Sequence, residues 1–184
     1  MGTILGMSGS DWLGVLNILV AIIGILFVVI TIYEATQLKR IRDDVSKIKQ
    51  DLKSELFKAQ KAMQRVIASY SIQDRQARIA LLQEAVEIDP QVFNGYNSLG
   101  WAYLADQQTL RAIDAFKEAI RQHPEDKAGY FDTAAAYLQN GDVDMCLMYL
   151  RQAINKDPSS IEDLPSNPLF KDLHGDARFK RMLH

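Results

Sequence analysis

Thiol chemistry is almost missing from this 184-residue chain. Its one cysteine, Cys146, excludes an intramolecular disulfide framework and any multi-cysteine zinc or iron–sulfur site. The three histidines, His123, His174 and His184, lack metal-motif spacing. There is no Gly-rich phosphate loop, no nucleophile elbow and no H-E-x-x-H. Proline and glycine are absent from Ile25 through Asp89, so nothing in that stretch interrupts a helix. What is present is ordinary in bulk: 48% hydrophobic and 24% charged residues, with a net charge of −2. These values exclude a wholly disordered chain, a collagen and a multi-span transporter.

The bland net charge hides a segregation. Only Asp11 and Glu34 are charged before Lys39. Residues 39–65 hold nine Lys/Arg against four Asp/Glu, and residues 66–184 hold twelve against seventeen. The chain is an uncharged head, a basic neck and an acidic body. Such asymmetry speaks to location and partners rather than to fold. An acidic body with few clustered cations argues against nucleic-acid binding.

Behind a short N-terminal tail (1–11), residues 12–33 read WLGVLNILVAIIGILFVVITIY, without a charge. At 1.5 Å per residue they make a helix of about 33 Å, enough to span a hydrocarbon core of ~30 Å. Trp12 and Tyr33 stand where interfacial aromatics belong. The run is too long, and apolar on too many faces, for a core helix. It lacks the basic n-region and small-residue cleavage site of a signal peptide. The N-terminus also misses the myristoylation pattern, because Gly6 stands where Ser or Thr is needed. No Lys or Arg precedes the span, whereas Lys39, Arg40 and Arg42 follow it. The positive-inside rule then places the body in the cytoplasm and the N-terminus across the membrane, with a bacterial inner membrane as the expected setting. Gly14, Asn17, Ala21, Gly24 and Thr31 share one stripe of the span, a pattern that favours helix–helix association in lipid.

The neck (34–58) carries Leu38, Ile41, Val45, Ile48 and Leu52 at three–four spacing, the apolar seam of a coiled coil. A four-residue step to Leu56 then shifts the pattern onto Ala59, Met63 and Val66. An amphipathic helix lying on the bilayer is the competing reading. The seam and the stripe together predict an oligomer, with itself or within a hetero-complex.

The body has a period of 34. Pro90, Pro124 and Pro158 keep that step, as do Ala85, Ala119 and Ala153, and the pairs Tyr96/Tyr130 and Tyr103/Tyr137. Asp89 and Asp157, each before a proline, read as N-caps. Asn140–Gly141 reads as a turn between helices, and Asp142-x-Asp144 as capping chemistry rather than a metal site. Cys146 reads as a small core residue.

This pattern resembles the tetratricopeptide repeat, a helix pair in 34 residues. In 93–126, Tyr96, Leu99, Gly100, Tyr103, Ala112, Phe116, Ala119 and Pro124 fall on its consensus. In 127–160, Tyr130, Ala134, Tyr137, Leu150, Ala153 and Pro158 match, while Thr133 and Cys146 depart from it. A degenerate unit (59–92) precedes them, with Arg78 where a small residue is expected, and residues 161–184 form a cap. The expected fold is all-α: one transmembrane helix, a coiled-coil-like neck and a short repeat solenoid with capping helices.

The resemblance implies a concave groove that grips an extended peptide or a partner helix. Its positions carry over to Asn94, Asn97, Trp101 and Leu104, then Ala128, Phe131, Asp132, Ala135 and Leu138. The cationic clamp for a C-terminal carboxylate is not among them. The sequence therefore reads as a membrane-anchored scaffold that recruits a protein. It is not an enzyme, and it has neither cofactor nor metal. The rival readings are an import-type receptor on an organelle outer membrane and a subunit of a membrane enzyme or motor.

Overall fold

The computed structural model describes residues 9–183. Residues 1–8 of the N-terminal tail, Gly6 among them, and His184 lie outside the described residues. The chain divides into two compact units, Met1–Ser54 and Glu55–His184. All described residues of the first belong to helix α1 (Gly9–Ser69). Its apolar residues from Trp12 to Tyr33 are exposed except the half-buried Val15, and its most apolar stretch has a mean hydropathy of 3.1. By length and composition this helix could cross a membrane. The hydroxyls in it are satisfied locally: Thr31 Oγ1 donates to the Phe27 and Val28 carbonyls at 2.9 Å, and Thr36 Oγ1 to Tyr33 at 2.7 Å.

The second unit is all helical among the described residues. The last turns of α1 bury Ala62, Val66 and Ser69. Then follow α2 (Arg75–Ile88), α3 (Gly95–Ala105), α4 (Thr109–Gln122), α5 (Lys127–Gln139) and α6 (Val143–Lys156), each packed on the next. A tail of α7 (Ser160–Asp163), two short 3₁₀ turns and α8 (Ala177–Met182) closes the stack. Leu164, Phe170, Leu173 and Phe179 of that tail are buried against it.

The 34-residue period has a packing cause. Small buried residues, Gly100 and Ala134 one period apart and Ala112 and Ala153 at other steps, let backbones approach. Large ones, the pairs Tyr103/Tyr137 and Phe116/Leu150 each one period apart, fill the space between. Gly141 takes φ +83° in the turn between α5 and α6, a conformation that costs glycine little. Where the sequence broke the consensus, the structure supplies a partner. Thr133 is fully buried, but its hydroxyl donates to the Gly129 carbonyl at 2.7 Å. Arg78 turns its guanidinium onto the loop before α2, with Nε donating to the Ile72 carbonyl at 3.0 Å.

One sequence expectation is overturned. Asp89 and Asp157 do not open the helix after the proline; they close the helix before it. Each carboxylate then accepts a backbone N–H two residues on, from Gln91 at 2.9 Å and from Ser159 at 3.1 Å. These are Asx turns, and they form because the residue before proline is driven out of the α region. Lys127 reaches across at 2.5 Å and holds the Asp157 carboxyl down at about 2.

Candidate functional site

The candidate site is the face formed by the end of α1 together with α3 and α5. Two cavities lie along it. The smaller, of about 270 Å³, takes Ser69 from the end of α1 and Tyr70 just after it, Arg78 and Leu82 from α2, Asn97, Ser98 and Trp101 from α3, and Asp132 from α5. The larger, of about 680 Å³, is lined by Val92, Phe93, Tyr96, the end of α4 and the start of α5, including Ala128. Asn94 and Asn97 line both.

Four of the residues picked from the sequence come together here: Asn94, Asn97, Trp101 and Asp132. Asn94 sits just before α3 in the left-handed region, at φ 59°. Asparagine tolerates that region better than most side chains. Its Nδ2 donates to the Tyr70 hydroxyl at 3.0 Å, and that hydroxyl lies 3.0 Å from Ser98 Oγ. Asn97 places a buried Oδ1 in the site without a hydrogen-bond partner. Trp101 is 37% exposed, packs T-shaped against Phe116 with ring centres 5.6 Å apart, and lines the same cavity as Asp132. Burial pushes the Asp132 carboxyl up to about 7; the polar indole N–H of Trp101 opposes this and the charge of Asp126 adds to it.

The other positions serve packing. Leu104 and Ala135 are buried in the core, at 7% and 8% exposure, and present almost no surface to a partner. Phe131 tilts against Phe170 of the tail, ring centres 6.3 Å apart, and Leu138 packs on the core. Tyr70 and Ser98 escaped the sequence reading. Tyr70 belongs to the degenerate unit, where no consensus marks it; Ser98 stands one residue from Asn97 and was legible from its place on α3.

The remaining candidates lie elsewhere. The stripe Gly14, Asn17, Ala21, Gly24 and Thr31, and the seam Leu38, Ile41, Val45, Ile48 and Leu52, are exposed on α1 in the first unit. Cys146 is buried, and its thiol is pushed up to about 12 by that burial, which makes it inert as a nucleophile at neutral pH. Asp142 caps α6, accepting from the Met145 amide at 3.0 Å. Among the described residues no three His, Cys, Asp or Glu side chains gather as a metal set would require.

Asp132 has a consequence for stability. Its folded pKa stands above its unfolded value, so the unfolded state binds fewer protons between pH ~4 and ~7. Stability associated with this group is present below pH ~4 and lost as pH rises towards ~7. Asp132→Asn is therefore expected to stabilise the protein at pH 8 by on the order of 1 kcal/mol, and to do little at pH 4. Urea titrations of both proteins at the two pH values would show it. A loss of stability at pH 8 would contradict it.

The tetratricopeptide repeat family matches residues 98–126 and 128–160. Two crystal structures of MamA share the fold. One is 24% identical, with a TM-score of 0.51 over 56% of this chain and 58% of that one. The other is 20% identical, with a TM-score of 0.57 over 73% of this chain and 78% of that one. The chain thus spans little more than half the length of the first. A search of curated proteins found no match.

Proposed function

From the match of residues 98–126 and 128–160 to the tetratricopeptide repeat, we propose that this chain is a non-enzymatic scaffold. The helix of the first unit anchors it in a membrane, and the α1–α3–α5 face of the second unit grips another polypeptide on the cytoplasmic side. The observation that carries the gripping role is the pairing of an exposed aromatic with underused polar groups. Trp101 stands 37% exposed beside the unpartnered Asn97 Oδ1 and the carboxyl of Asp132. Exposed tryptophans next to polar groups that lack partners are common anchors at interfaces. The anchoring role is supported by the apolar stretch of α1, which is unburied and free of charge from Trp12 to Tyr33. The exposed seam and small-residue stripe on α1 fit self-association or docking on another membrane subunit.

The gripping role is tested by affinity capture in mild detergent. Trp101→Ala and Asn97→Ala, each in the full chain, are expected to lower recovery of a co-purifying partner at least about tenfold, as loss of an interface hot spot would. Full recovery with both variants would remove this face from the mechanism.

A further inference from the structure

We propose that the smaller cavity is a receptor for an arginine side chain of the bound polypeptide, with Asp132 and Asn97 accepting from its guanidinium and Trp101 covering it. The inference rests on the gripping role just described and gives that role its chemistry.

Two acceptors on the cavity wall are poorly supported, Asn97 Oδ1 and the Asp132 carboxyl. Asn97 Oδ1 is buried and unpartnered. An orphaned buried acceptor is rare in folded proteins, because it forfeits its hydrogen bond to water for nothing. Asp132 lines the same cavity from α5, and burial weighs against its charge. The one cation on the cavity wall, Arg78, is committed to the Ile72 carbonyl and does not offset the burial of Asp132. Both acceptors would be relieved by one incoming group that carries positive charge and several donors.

Arginine fits this description better than lysine. Its planar fork has five N–H donors in fixed directions, enough to reach acceptors on two helices at once. It is less strongly hydrated than an ammonium, so transfer from water costs less, and it stacks on aromatic faces. Trp101 provides a partly exposed indole at the same cavity. The volume of about 270 Å³ admits a single side chain, not a folded element. The acidic balance of residues 66–184 draws a basic segment toward this face.

The test uses the full chain in detergent micelles, with both tryptophans replaced by 5-fluorotryptophan. Trp12 lies in the apolar stretch and serves as an internal reference; Trp101 reports on the cavity. The probe is N-acetyl-arginine amide, and its neutral analogue N-acetyl-citrulline amide is the control. Arginine is expected to move the Trp101 fluorine signal saturably, with a dissociation constant in roughly the millimolar range for so small a ligand. Citrulline should be at least about tenfold weaker, and Asp132→Asn should abolish the arginine response while remaining folded. A Trp101 signal that ignores arginine, an equal response to citrulline, or an unchanged response in Asp132→Asn would each overturn the proposal. The isolated amide needs no partner. If it fails while Trp101→Ala still loses the captured protein, the gripping role stands and only the arginine receptor falls.

Discussion

Gly100→Val is expected to unfold the second unit, or to leave it with a small fraction of its stability. Gly100 sits in the middle of α3, where a glycine ordinarily weakens a helix by roughly 0.5–1 kcal/mol relative to alanine. On propensity alone a side chain there should help. Packing decides otherwise. A Cβ at this position would overlap the ring of Phe116 on α4, which is fully buried and closed off by the edge of Trp101. The ring is itself fully buried and in contact with Trp101, so either it or the α3 backbone must shift. Overpacking a well-packed core costs typically about 1–3 kcal/mol and sometimes more, and valine adds the bulk of three carbons where the ring already stands. Against a total stability of about 5–15 kcal/mol for a unit of this size, that is a large share.

Repeat stacks hold together through nearest-neighbour interfaces, so a wedge between α3 and α4 also strips support from α2 and α5. Urea denaturation of the full chain in detergent, followed by Trp101 fluorescence, gives the readout. Gly100→Ala should fall between valine and the parent. Shrinking the ring in a Gly100→Ala, Phe116→Leu double variant should recover part of the loss, because the two sites share one space and their effects are not additive. If Gly100→Ala proves as stable as the parent, the close approach of α3 and α4 is not what fixes glycine here.

The same pair of residues shows what was legible in advance and why. Gly100 and Phe116 were readable because a repeat imposes one packing problem on every copy, so small and large residues recur at fixed steps of 34. The all-helical fold followed from that recurrence and from the lack of proline and glycine through the neck. The role of the Asp–Pro pairs was not readable. Asp89 and Asp157 could cap either the helix before or the helix after, and only the backbone path decides. The site was partly readable for a related reason. Helical period places Asn94, Asn97, Trp101 and Asp132 on one face, but it places Leu104 and Ala135 there too. Which members of that face stay open depends on neighbours that period does not describe. The tail reaches Phe131 through Phe170, and Tyr70 comes from the turn after α1, with no consensus to mark it. The unusual state of Asp132 was invisible for the strongest form of this reason. A carboxylate is desolvated by what surrounds it, and nothing in the letters 127–139 says what does.

Ile22→Arg combined with Leu26→Arg is expected to move the protein from the carbonate-resistant membrane fraction to the soluble one. The two positions lie one helical turn apart near the middle of the apolar stretch. Each arginine at the centre of a span costs about 2.5–3.5 kcal/mol for insertion, and each removes an apolar residue that contributes about 0.3–0.6 kcal/mol. The pair therefore costs roughly 6–8 kcal/mol, and so close to the midplane neither arginine can easily extend its charge to the interface. Ile22 and Leu26 are exposed, with nothing in the structure packed over them, so the change should leave the second unit folded. A core helix of a soluble protein would respond in the opposite way, with lost stability and no change of fraction. Orientation needs a separate change. Lys39→Glu, Arg40→Glu and Arg42→Glu together remove the flank that favours a cytoplasmic body while leaving the span intact. A reporter fused after His184 should then divide between the two sides of the membrane, whereas in the parent it should remain cytoplasmic. A parent whose reporter is active only outside the cytoplasm would reverse the assigned topology. A parent found entirely in the soluble fraction would take the membrane out of the mechanism altogether.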